Sequence, residues 1–234
     1  TKEDNEESLR ALDLSIQADR NNSQAYAWKA CALGQAYGRG YRDDTDQLIS
    51  EIMENINKAV ELNNNDFEAH RMLAEVHLSL HEFDKAYDHG FKSFQLNPND
   101  PRVTSVFGEI LIRIDKLDKG VELLEKAYEL DPIPQGQNTS DRRLCALLTG
   151  YYLKNDFNKC KDLINDISDI DFKSWLLSTN IHKKNNFNID NLNWFVSGSK
   201  KFANIDIELE IDRFHLNNKE LSKTLVNEAK EILN

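Results

Sequence analysis

Residues 67–100 read FEAHRMLAEVHLSLHEFDKAYDHGFKSFQLNPND and residues 101–134 read PRVTSVFGEILIRIDKLDKGVELLEKAYELDPIP, the same unit written twice. Laid over each other at a spacing of 34, Leu73 meets Phe107, Ala74 meets Gly108 and Phe83 meets Leu117. Ala86 then meets Gly120, Phe94 meets Tyr128, Leu96 meets Leu130, and Pro98 meets Pro132. In the first half of the unit Leu73, Val76, His77 and Leu80 recur at helical spacing and make one face. A turn is expected around His81–Glu82 and again around Asp115–Lys116, before Phe83 and Leu117 open a second helix. Pro98 and Pro132 stop that helix, since proline has no N–H to give and excludes a helical predecessor. Ala74 and Ala86 in one copy, Gly108 and Gly120 in the next, stand where two helices must approach closely. One such hairpin cannot bury its own apolar face, so neighbours must stack. A period of this length marks a helix–turn–helix solenoid.

These residues resemble the tetratricopeptide repeat (TPR) family. The resemblance implies an all-α, right-handed superhelix, and the sequence adds a helical cap at its C-terminal end. Outside the two clear copies the pattern loosens. Residues 1–22 hold one helix, with Leu9, Leu12, Ile16 and Ala18 at apolar spacing, and resemble the second helix of a repeat. Its first-helix partner and an initiator Met are missing, so the chain is expected to continue upstream. Residues 23–66 form a longer unit with Trp28 in its first helix, an expanded loop GRGYRDDTD, and Ile52, Ile56 and Ala59 facing inward from its second. Its register is open by two, with either Ala25 or Ala27 aligned to Ala69. After Pro134 comes a polar insertion, QGQNTS, and then a weaker unit, 141–174, with Leu144, Leu147, Leu148 and Tyr151 in its first helix. The repeat array is thus read over 1–174 and the cap over 175–234. SWLLSTNIHKK and NLNWFVSGSKKF read as a further helix pair and NKELSKTLVNEAKEILN as a closing amphipathic helix. Ile205–Asp212 alternates like a strand, yet Ile207, Ile211 and Phe214 also satisfy helical spacing, and the helix is expected.

A wider resemblance joins the long second unit, AVELNNNDFEAH, SFQLNPNDPR and the order LDPIP–insertion–GYYLKNDF. Together they look like the TPR regions at the C-terminal end of bacterial class III adenylate/guanylate cyclases, and similar arrays occur in winged-helix transcription regulators. It implies a regulatory or assembly module, bacterial and acting in signal transduction, whose chemistry lies elsewhere.

Composition narrows the partners. Forty acidic against 29 basic side chains leave a net charge of −11. That argues against nucleic acid or an anionic membrane as partner, since both call for a basic field. No run approaches the roughly 18 apolar residues that suggest a membrane span, and no signal peptide is visible. Cys31, Cys145 and Cys160 are an odd count without metal-like spacing, which reads as small buried fillers in a reducing, cytoplasmic compartment. No cofactor is expected.

In TPR proteins the first helices of successive units line the concave face. The resemblance therefore places Arg71, Glu75 and Leu78 there from one unit, Arg102, Ser105, Glu109 and Arg113 from the next, and Arg142, Cys145, Thr149 and Tyr152 from the one after. Arginines recurring in an acidic protein point to a groove for an acidic peptide, because guanidinium pairs bidentately with carboxylate. Against this stands pairing of Glu75 and Glu109 with the same arginines across adjacent helices. The Lys/Asn carboxylate clamp of chaperone-binding TPRs is absent, since Glu75 stands where it would place an amide. His77 and His81 share metal-ligand spacing, but one takes a core position and the other the turn. Asp43, Asp44 and Asp46 lack the glycine and terminal glutamate of a calcium loop. No nucleophile–base pair stands out, and a non-enzymatic protein- or peptide-binding module is expected, with self-association as an alternative. Two rivals remain: an enzyme with a pocket near Trp194, Arg213 and His215, and a sensor in which the Gly38–Asp46 loop and Trp28 close over a small molecule.

Overall fold

The computed structural model describes residues 1–42, 45–132, 139–212, 214 and 219–233, and among them every regular element is helical. Asp43, Asp44, Arg213, His215 and most of the polar insertion therefore lie outside the described residues. The chain divides into two compact units, Thr1–Ile110 and Leu111–Asn234. The expected junction between array and cap, 174–175, falls inside the second unit, within a helix.

Unit 1 holds α1 (Lys2–Ala18), α2 (Ser23–Gly38), α3 (Thr45–Leu62), α4 (Phe67–Ser79), α5 (Phe83–Leu96) and most of α6 (Pro101–Arg113). Local chemistry sets these limits. Asp66 caps α4 by accepting from the backbone N–H groups of Glu68 and Ala69 at 2.9 and 3.3 Å, which satisfies donors that a helix start leaves orphaned. The core joins Ala30, Leu33 and Ala36 of α2, Leu48, Ile52 and Ile56 of α3, and Ala69, Met72 and Leu73 of α4. α1 is tied to α2 by the buried Asn5, whose Nδ2 donates to the Ala32 carbonyl at 2.9 Å. Leu73 is 1% exposed; Leu73→Ala is expected to cost about 2–5 kcal/mol, and an unchanged urea midpoint would contradict the packing.

One turn recurs through the chain. The last turn of each first helix ends in a residue with φ near +60°: Gly40, His81, Asp115, Asn155 and Asn186 have φ of 61, 61, 64, 60 and 55°. In every case the next residue's N–H reaches back five positions: Tyr41 to the Ala36 carbonyl, Glu82 to His77, Lys116 to Leu111, Asp156 to Tyr151 and Phe187 to His182, at 2.8 to 3.0 Å. This closure satisfies carbonyls the helix end would leave unpaired. Left-handed backbone strains most side chains, and glycine, Asn, Asp and His are those that tolerate it best. From Gly40 to His81 is 41 residues, seven more than from His81 to Asp115. Three of the seven precede α3, and four lengthen it from the 14 residues of α5 to 18. The expansion is thus shared between the loop and about one extra helical turn.

Unit 2 continues with α7 (Leu117–Leu130), α8 (Thr139–Leu153), α9 (Phe157–Leu163), α10 (Phe172–Lys184), α11 (Asn193–Lys201), α12 (Ile207–Asp212) and α13 (Lys219–Leu233). The stretch that alternates like a strand is helical: Asp206 accepts from the Leu209 N–H at 3.0 Å and so starts α12, which buries Ile211. The core is centred on Leu148, Trp175, Leu176 and Leu177, all fully buried. Leu225 and Ala229 of α13 close it from the C-terminal side.

Candidate ligand-binding face

The first helices of unit 1 are α2, α4 and α6, and one ion network links the last two. Arg71 grips Glu68 with two parallel bonds, Nη2 to Oε1 at 2.8 Å and Nε to Oε2 at 3.0 Å, while its Nη1 donates to Glu75 at 2.6 Å. From α6, Arg102 donates to Glu68 at 3.0 Å and, through Nη2 and Nε, to Asp100 at 2.7 and 3.2 Å. Arg71's side chain is 9% exposed and those of Glu68 and Asp100 13% each. Burial works against the Arg71 charge, yet Glu75 and Glu68 outweigh it and raise its pKa. The hydrogen bonds with Asp100 do the same for Arg102. Against the cost of its own burial, Arg102's bonds hold the Asp100 carboxyl below the usual range. In the bonds named, two guanidinium groups thus meet three carboxylates.

Glu75 thus meets Arg71 of its own helix, and Glu68, one 34-residue repeat before Arg102, bridges α4 to α6. On α2, Trp28 is 50% exposed. One turn on is Cys31, half-buried rather than a core filler, whose thiol is raised by burial and senses the charges of Arg71, Glu75 and Glu68. Leu78 is buried in the core between α4, α5 and α6, and Ser105 and Glu109 are half-buried on α6.

In unit 2 the residues expected on the same face are engaged within the protein. α8 is buried on all sides from Arg143 to Tyr152. Cys145 and Thr149 lie inside, and burial pushes the Cys145 and Cys160 thiols up to about 12, so both are inert at neutral pH. The Tyr152 hydroxyl donates to Asn180 Oδ1 at 2.9 Å, and Asn180 in turn donates to the Glu228 carboxylate of α13 at 2.5 Å. Arg113 donates to the Phe214 carbonyl at 2.7 Å, and Arg142 is exposed on α8. Trp194 packs its ring against His182 and Phe195. Among the described residues no group of three or more His, Cys, Asp or Glu side chains is placed to hold a metal, and no helix is long and apolar enough to cross a membrane.

Sequence reasoning missed Glu68, Asp100, Asn180 and Glu228, and a cluster of three histidines in unit 1. His77 is buried, as its core position implied, with Nδ1 2.6 Å from Glu82, and His81 sits in the turn. His70 and His89 face each other across α4 and α5, with their Nδ1 atoms 2.9 Å apart.

No protein-family model matches the sequence, and no curated protein matches it. Solved structures do. The PilF protein of Pseudomonas aeruginosa superposes with a TM-score of 0.60 at 14% identity, covering 85% of this chain and 83% of its own. YrrB, described as a TPR protein with an unusual peptide-binding site, gives 0.55 at 12% identity, over 94% of this chain and 98% of its own. A chain of the APC/C Cut9–Hcn1 hetero-tetramer gives 0.59 at 16% identity, over 99% of this chain but 40% of its own. At these identities the likeness concerns the fold: an all-α helical solenoid of the TPR kind.

Proposed function

We propose that the chain is a non-enzymatic module that binds a protein or peptide segment on the first-helix face of unit 1, with Trp28 as the apolar anchor. The observation that carries this reading is a half-exposed indole one helical turn before Cys31, the residue of α2 that feels the charges of an ion network already locked in place. Exposed tryptophans are frequent anchors of binding surfaces, and a polar surround whose rotamers are fixed loses little entropy when a ligand arrives. YrrB, of the same fold, has a peptide-binding site. The local charge count speaks against the acidic ligand that the arginines alone suggest: with Arg71 and Arg102 outnumbered by Glu68, Glu75 and Asp100, a neutral or basic segment fits better.

The test is a pull-down from the source lysate with three folded proteins: wild type, Trp28→Ala and Leu130→Ala, which removes another exposed apolar side chain. A protein retained by wild type and Leu130→Ala but lost by Trp28→Ala supports the face. The same proteins retained by all three would count against it. A second reading, favoured by the resemblance of the long second unit to cyclase-associated TPR regions, is an array that positions the signalling domain of a larger bacterial protein or pairs it with a second copy. Retention of no protein by any of the three would favour that. The free thiols suit a cytoplasmic setting in either case.

A further inference from the structure

We propose that His70 and His89 form a proton-operated latch between α4 and α5, closed while the pair holds at most one added proton and opened when both rings are protonated. The bonding at either side of the pair dictates this. His70 Nε2 lies 3.1 Å from both the carbonyl and the side-chain oxygen of Asn64. Both partners are acceptors, so Nε2 carries the hydrogen and neutral His70 keeps a lone pair on Nδ1. That lone pair accepts from His89 Nδ1–H at 2.9 Å. A first proton enters on His89 Nε2 and leaves the link intact. A second has only His70 Nδ1 to occupy, where it sets N–H against N–H at the same separation, and the rings must part.

The surroundings make protonation costly. His70 is 4% exposed, and the rings stack in the order His70, His89, His77, with centroids 5.1 and 5.6 Å apart. Burial pushes His70 below its ordinary value, opposed by its Asn64 bond and Asp66 and reinforced by Lys92. Burial also pushes His89 down to about 4, with His70 and His77 adding to it and Asp88 opposing. His77 is itself paired with Glu82, which Lys85 also contacts. Both rings therefore titrate lower when closed than the ordinary 6.5 of an open chain. The latch is at full strength above pH 6.5 and weakens as pH falls from there toward about 4. With two protons taken up on opening, the opening constant rises up to about 100-fold per pH unit. Because α4 also carries Glu68, Arg71 and Glu75, opening loosens the ion network at its base.

The full chain tests this in two ways. Long-range proton–nitrogen spectra at pH 7.5 should show His70 protonated on Nε2 and His89 on Nδ1, and His89 titrating well below 6.5. An ordinary titration of His89, or its Nε2–H tautomer, overturns the proposal. Amide exchange of α5 between pH 6 and 5, corrected for its intrinsic pH dependence, should give a logarithmic opening slope between about one and two per unit. His89→Phe, which keeps a stacking ring, should lower that slope by at least half. Equal slopes in the two proteins overturn the latch. The spectra of the wild type decide the matter even if the variant fails to fold.

Discussion

Arg71→Ala is expected to destabilise unit 1 by about 3–5 kcal/mol, the range for breaking a buried ion pair from one side. The variant strands Glu68, whose side chain is 13% exposed and whose two short bonds to Arg71 vanish together. Arg102 alone remains to face it, and Arg102 already serves Asp100. The loss should register as faster amide exchange in α4 and α6 and a lower urea midpoint. A control separates burial from charge: Arg71→Leu combined with Glu68→Leu removes both charges of the buried pair together, leaving Glu75 with a 30% exposed side chain and Arg102 still bonded to Asp100, and should recover most of the loss. A single variant as stable as wild type would mean the network is solvated and adds little to the fold.

Trp175→Ala is expected to cost unit 2 about 3–5 kcal/mol. The indole is fully buried, stacks on Phe195 with centroids 5.8 Å apart, and meets Phe172 and Phe202 from two other directions. Its Nε1 donates to the Phe195 carbonyl at 3.2 Å, so the alanine also leaves that acceptor unmet. Gly198 of α11 lies directly under the ring, and a Cβ there would collide with the indole. α11 can approach α10 this closely only because one residue is glycine and the other fills the space it leaves. Amide exchange in α8, α10 and α11 would report the loss. Exchange unchanged in all three helices would contradict the central place given to this residue.

What the sequence revealed follows from what periodicity can carry. Apolar spacing and the prolines place the helices and turns of 67–132 within a residue or two, because those signals are local. Beyond that stretch a fixed period of 34 fails: successive turn residues are 41, 34, 40 and 31 apart. The turn still recurs, marked by Gly40, Asn155 and Asn186, residue types suited to φ near +60°. The arginines and Glu75 were readable by position, but the partners Glu68 and Asp100 were not. Glu68 and Asp100 sit at helix starts, where acidic residues are expected for other reasons. Tyr152 satisfies first-helix spacing, and only the packing of α10 against α8 determines that its hydroxyl meets Asn180, which Glu228 of α13 engages in turn. His70 and His89 are 19 apart, a separation without meaning along one helix that becomes contact in an antiparallel pair.

The recurring turn also determines where this chain tolerates a change of length. The five left-handed residues and the back-reaching bonds that follow them fix each first helix relative to its second, so residues added inside that closure would rotate every apolar side chain off its neighbour. Natural additions avoid it. Three residues enter after Tyr41, four extend α3, and the six between Asp115 and Asn155 divide into four in the link before α8 and two in α8 itself. A guest segment, such as an epitope or a fluorophore-binding loop, belongs at those of these places that lie outside helices: between the closure and the second helix, or between one pair and the next.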